Sequence, residues 1–128
     1  MLRIEYRLYP NHAEAGYMNI DLQIFDGEVL LFSEPRLYMY NIFGLRNWFI
    51  SDFYQQKSHM VTDDVYAPPL VLGLVFLTQK TAWTFLTRTE DDGYQLCERN
   101  FSEREMARML EDFFHRLRLE MKPLGIVL

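Results

Sequence analysis

Apolar and polar residues alternate cleanly in the first stretch of the chain. In LRIEYRLY, Leu2, Ile4, Tyr6 and Leu8 fall on one side and Arg3, Glu5 and Arg7 on the other. A period of two marks a strand with one face buried and one face wet. Pro10 and Asn11 end it. GYMNIDLQIF, residues 16 to 25, repeats the pattern, with Met18, Ile20, Leu22 and Ile24 alternating with Asn19, Asp21 and Gln23. Asp26-Gly27 and then EVLLF follow. Asp-Gly between two such runs predicts a hairpin whose two central residues both take positive φ. Pro35 interrupts the next strand, and RLYMY resumes it at a sheet edge, where a missing N–H does no harm.

The period then lengthens. In NIFGLRNWFISDFYQQ, Ile42, Leu45, Phe49 and Phe53 recur at helical spacing, with Asn41 as the N-cap. Phe43, Ile50 and Tyr54 widen the apolar sector, so this helix must be covered on more than one side. Residues 56 to 69 read as a long loop of the kind that often carries function. LVLGLVFLT is apolar throughout and predicts a central strand covered on both faces. Gln79-Lys80 turns it into TAWTFLTRT, and RTEDDGY links that strand to YQLCERNF. Ser102 with Glu105 three residues on forms a capping box. Met106, Met109, Leu110, Phe113 and Leu117 then give a second helix one apolar stripe, and Lys122-Pro123 ends it.

The order β-β-β-α-β-β-β-α, with short turns between strands, predicts antiparallel pairing. The expected fold is α+β over residues 1–128: one domain, with two helices on one face of an antiparallel sheet of five to six strands. At 128 residues and 49% hydrophobic, the chain can bury a core without staples. Cys97 is the only cysteine, which excludes an internal disulfide and suggests a reducing compartment. The N-terminus lacks a secretory h-region, and the longest apolar stretch, residues 65 to 77, is too short for a bilayer and holds Pro68 and Pro69. A cytoplasmic protein with no membrane role is expected.

Charge narrows the partner class. The net charge is −5 from 13 bases and 18 acids, and from residue 102 onward five acids balance five bases. The excess therefore lies in residues 1–101. No basic footprint for nucleic acid exists, and an acidic surface steers toward basic partners, or simply toward solubility.

Candidate chemistry is sparse. The consecutive acids Glu90, Asp91 and Asp92 lack the alternating ligands and terminal Glu of a calcium loop. Asp92-Gly93 reads as a second hairpin turn. If it projects from the same sheet edge as Asp63 and Asp64, five carboxylates gather there, forming either a solvated rim or a surface that pairs with lysines and arginines. His12, His59 and His115 stand in no zinc-binding spacing, so no metal or cofactor is expected. Cys97 reads as a structural thiol, no G-x-S-x-G is present, and the six glycines never cluster into a phosphate loop. Asp52 lies at the margin of the first helix's apolar sector and reads as a rim residue bonded to a nearby arginine. Trp48 on the helix flank and Tyr66 in the long loop are aromatics of the kind that anchor protein interfaces.

The segment GLRNWFISDF, the APPL loop and the closing MLEDFFHRLR helix resemble immunity proteins of bacterial polymorphic-toxin and contact-dependent growth inhibition systems. That resemblance implies a cytoplasmic, non-catalytic protein that occludes a cognate toxin, expected to be basic. Trp48, Asp63, Asp64, Tyr66, Glu90, Asp91 and Asp92 are the expected contact residues. Two other readings remain. One is an enzyme or ligand binder with a pocket between the first helix and the sheet, using Asp52 and Arg46. The other is an oligomeric subunit that pairs through the first helix or an edge strand.

Overall fold

A computed structural model describes residues 1–9, 18–62 and 70–128. The elements run β1 (Leu2–Tyr9), β2 (Asn19–Asp26), β3 (Val29–Tyr38), α1 (Met39–Ser51), β4 (His59–Thr62), β5 (Leu70–Leu77), β6 (Ala82–Arg88), β7 (Tyr94–Leu96) and α2 (Glu103–Met121). Short 3₁₀ turns follow α1 at Phe53–Gln55 and α2 at Lys122–Leu124. The α+β class and the two helices agree with the sequence. The single sheet of five to six strands does not: the strands form two antiparallel sheets, β1-β2-β3 and β4-β5-β6-β7. Each strand pairs with its neighbour in sequence, and α1 with its 3₁₀ turn separates the two groups of strands. The seventh strand, β4, lies inside the segment read as a loop, and His59, Met60 and Val61 pair with Leu74, Gly73 and Leu72.

Alternation decides the faces of the first sheet. Leu2, Ile4, Ile20, Leu22 and Ile24 are buried, while Glu5 and Arg7 face water. Pro35 sits in edge strand β3, where no ladder bond is lost. It stands at a bulge where Asp21 Oδ1 accepts the Arg36 N–H at 2.9 Å and Arg36 takes φ 56°. The β2–β3 turn differs from the expected Asp-Gly type. Asp26 still pairs with Val29, so the central residues are Gly27 and Glu28, and only Gly27 (φ 60°) is left-handed. Glycine at the first central position is the type II′ pattern.

Helix α1 begins two residues earlier than its expected cap. Tyr38 is the N-cap and makes no side-chain capping bond, while Asn41 is buried within the helix. The capping box of α2 is present: Glu105 N donates to Ser102 Oγ at 3.1 Å, and Ser102 N donates to Glu105 Oε2 at 3.0 Å. The apolar stripe of α2 packs its Phe113 ring edge-on to Tyr6. Arg116 donates to the Ile4 carbonyl, so α2 also satisfies part of the outer edge of β1.

One cluster of buried residues joins both sheets and both helices. At its centre Trp83 stacks on Phe53 (4.9 Å) and meets Trp48 edge-on (5.8 Å). After β7 the chain returns to β6, where Trp83 and Phe101 exchange both backbone hydrogen bonds at 2.7 Å. The Thr84 hydroxyl lies 2.8 Å from the Arg99 carbonyl and 3.1 Å from that of Cys97, which ties down the excursion between the two contacts. Arg99 in turn bonds Asp26 Oδ2 at 2.7 Å, linking this segment to the β2–β3 turn. That guanidinium, together with the N-terminal ammonium, holds the Asp26 carboxyl below the usual range.

Candidate functional site at the β6–β7 turn

Strands β6 and β7 are rooted by the Arg88–Tyr94 pair, and Thr89 then organises the connection. Thr89 N donates to the Gly93 carbonyl at 2.8 Å, and Asp92 N donates to the Thr89 carbonyl at 3.2 Å. The Thr89 hydroxyl accepts from Gly93 N at 3.1 Å and donates to Asp91 Oδ1 at 2.6 Å. Asp92 takes φ 61°. The result is a three-residue hairpin, a turn over Thr89–Asp92 whose last residue, Asp92, is left-handed. The expected two-residue Asp92-Gly93 turn is therefore displaced, with Asp92 and not Gly93 in the left-handed position. Aspartate tolerates that region because its short polar side chain bonds locally.

All three acids, Glu90, Asp91 and Asp92, are exposed. Their roles differ. Asp91 braces the turn, and the hydrogen bond from Thr89 holds its carboxyl below the usual range. Glu90 and Asp92 carry charge outward. Beside them Tyr94 is 48% exposed, and all three residues of β7 face solvent.

Asp63, Asp64 and Tyr66 lie outside the described residues. The strand ends that flank them do not. Thr62 pairs with Leu70, Leu72 with Thr87, and Arg88 with Tyr94, so the β4–β5 connection leaves and rejoins the sheet at the end that bears the acidic turn.

Trp48 requires a correction. Read from sequence as an interface anchor on the flank of α1, it is 5% exposed, and its indole N–H donates to the Lys57 carbonyl at 2.7 Å. The helix is rotated so that Ile42, Leu45 and Trp48 turn inward together, leaving Ile50 exposed. Trp48 is a core residue, not a contact residue. The space expected as a pocket between α1 and the sheet is filled where Trp48, Phe53 and Trp83 meet. Asp52 is paired, but with Lys57 Nζ at 3.8 Å and not with an arginine.

His59, placed in a loop by sequence, stands on β4 with its ring stacked 5.2 Å from that of Trp48. Burial holds its pKa below the ordinary value, with the Asp52 carboxylate acting the other way. As pH falls below about 6.5 the unfolded chain takes up this proton and the folded chain resists it, so stability declines with falling pH until the depressed native pKa is reached. The His59→Phe variant is expected to flatten that slope. Urea midpoints for the two proteins between pH 7.5 and 5 check this, and equal slopes would count against it.

Among the described residues, no three His, Cys, Asp or Glu side chains gather as metal ligands, and no helix is long and apolar enough to cross a membrane. Cys97 is a half-buried free thiol just beyond β7. Residues that sequence reasoning passed over are Tyr94 and Leu96, exposed beside the acids. Their signal was faint, because three alternating residues do not distinguish a bare edge strand from a covered one. No family model, curated protein or solved structure matches this chain.

Proposed function

We propose that this chain is a non-catalytic protein-binding module that neutralises a basic partner by covering its active surface, as an immunity protein does for a bacterial toxin. The observation that supports this reading is the acidic turn itself. Three exposed carboxylates sit on a connection held by four hydrogen bonds, next to an exposed tyrosine. Preorganised charge of this kind raises the on-rate and selects partners of opposite sign, and an adjacent aromatic adds buried area at low entropic cost. The resemblance to immunity proteins names the class, and the net charge of −5 suits a cationic toxin.

The test is co-expression with the C-terminal domain of a large toxin encoded next to this chain. Rescue of growth is expected, along with a complex whose affinity falls with salt. The Glu90→Gln/Asp92→Asn variant should weaken that complex roughly tenfold or more, through the on-rate. Asparagine suits the left-handed position, and Asp91 keeps its bond to Thr89, so the turn survives the change. Unchanged affinity in this variant removes the acidic turn from the interface. Absence of any protection removes the immunity reading.

A second reading has its own observation. Ile50 (61% exposed), near the end of α1, and Tyr54 (55%), in the 3₁₀ turn that follows, are exposed large side chains that would suit self-association. A concentration-dependent sedimentation coefficient, abolished by Ile50→Lys, would favour an oligomeric subunit.

A further inference from the structure

Residues directly opposite one another in an antiparallel sheet share a face. Across β4-β5-β6-β7, one row runs Met60, Gly73, Leu86, Leu96, with Val75 opposite Thr84, Leu77 opposite Ala82 and Arg88 opposite Tyr94 to either side. The other face holds Val61, Leu72, Leu74, Trp83 and Phe85, all buried in the core. The first face is buried at Val71, Gly73 and Thr84, with Val71 belonging to the core, and opens to solvent toward its margins. It is apolar all the same: Met60, Tyr94 and Leu96 are 45–48% exposed, and Val75, Leu77 and Leu86 are half-buried. Antiparallel sheets normally present polar residues on a wet face, and the first sheet does so with Arg3, Glu5, Arg7, Asp21 and Gln23. At the end near the β5–β6 turn the apolar face dips into an open depression of 540 Å³ lined by Leu77, Lys80, Thr84, Leu96, Cys97 and Glu98. At the opposite end stands the acidic turn. There Glu90, Asp91 and Asp92 against Arg88 leave a net charge of −2, whereas Lys80 and Glu98 balance in the depression.

We propose that the outer face of the second sheet is the partner-docking surface, and that it takes a polypeptide with an apolar anchor seated against Leu96 and Leu86 and lysine or arginine side chains reaching Glu90 and Asp92. Charge complementarity fixes both the sign of the partner and its polarity along the groove. Asp92 stands in the turn four residues before Leu96, at most about 13 Å away at the strand rise, so anchor and cation stand no more than roughly two and a half helical turns apart on a helical partner. This inference rests on the protein-binding reading above and specifies its surface.

The probe is a synthetic amphipathic peptide of leucine and lysine, with a leucine–glutamate peptide as its control, titrated into the isotope-labelled full chain. Amide shifts are expected at Leu77, Leu86, Tyr94 and Leu96, with binding at least tenfold tighter than the glutamate control. Leu96→Ser and Glu90→Gln/Asp92→Asn should each weaken binding about tenfold. Both changes lie at exposed positions, and an unchanged amide spectrum verifies the fold. If the charge change weakens binding and Leu96→Ser does not, the turn acts alone: the docking face is overturned and the protein-binding reading stands. Shifts confined to Ile50 and Tyr54, or binding indifferent to both changes, overturn the face and leave the acidic turn without a role. Self-association abolished by Leu96→Ser overturns the basic occupant in favour of a second copy.

Discussion

Trp83→Ala is expected to cost roughly 3–5 kcal/mol and to lower Tm by more than 10 °C, the largest single effect in this chain. The indole is fully buried and touches Phe53, Trp48 and Phe76, side chains from three separate elements. Alanine leaves a void that rings held by α1, the 3₁₀ turn and β5 are too constrained to fill. A second variant separates volume from polarity. The Trp83 Nε1 proton is buried and has no acceptor, a situation that costs about 1–3 kcal/mol. Trp83→Phe removes that donor while keeping a ring, so its loss of packing is partly offset. It is expected to cost less than half as much as the alanine change. Chemical denaturation of the three proteins checks the order. If phenylalanine proves as damaging as alanine, the indole N–H is bonded in solution.

How far sequence alone reached follows from what each pattern depends on. The strands β1, β2, β5 and β6 and the helix α2 were legible because their periodicity is long and their burial one-sided or complete. Leu2 to Leu8 and Met106 to Leu117 carry their own frame of reference. Strand β4 was not legible. His59 and Val61 face inward, but four residues set among Ser58, Lys57 and Asp63 look like any polar loop. Only the ladder offered by β5 makes them a strand. The division into two sheets was equally hidden, because pairing between neighbours says nothing about whether β3 goes on to meet a later strand. Turn chemistry was placed to within a residue. Asp26-Gly27 and Asp92-Gly93 both marked hairpins, but which residue turned left-handed was set by the partner strand and, in the second case, by the Thr89 hydroxyl.

The candidate site divides in the same way. That Glu90, Asp91 and Asp92 would be solvated on a turn follows from composition. That Trp48 would be buried does not, because α1 is apolar on nearly every side. When Phe43, Trp48, Phe49, Ile50 and Tyr54 all compete for the core, periodicity cannot rank them. The tie is broken by the Lys57 carbonyl, which gives the Trp48 N–H an acceptor, and by His59 and Trp83, which receive its ring. Ile50 loses and is left in water. The apolar outer face of the second sheet was invisible for a related reason. A run such as LVLGLVFL predicts cover on both sides, which holds from Val71 to Leu74, and the sequence does not say that Val75 to Leu77 and the flanking strands are left half-open.

Gly73→Val is expected to destabilise the protein by about 1–3 kcal/mol, against the usual preference of a strand for a branched residue. Two effects favour the change: glycine loses more backbone entropy on folding, roughly 0.5–1 kcal/mol, and valine suits a pleated strand, on a scale spanning about 1 kcal/mol. The opposing effect is steric. A Cβ at position 73 would lie 2.9 Å from Leu86 Cβ and 2.9 Å from Met60 Sδ. The methionine sulfur belongs to a flexible chain and can swing aside. Leu86 Cβ is fixed to the backbone of β6, which is paired to β5 on both sides of the contact, so it yields only if the strands spread. Glycine here lets Met60 and Leu86 close over the centre of the outer face. Gly73→Ala should show a smaller loss of the same sign, because it carries the Cβ without the methyls. Met60→Ala added to Gly73→Ala should recover part of that loss but not all, since the Leu86 contact remains. Thermal denaturation of this series reads the outcome directly. A Gly73→Ala protein that melts no lower than the parent would show that β5 and β6 separate freely, and that the outer face is softer than its packing implies.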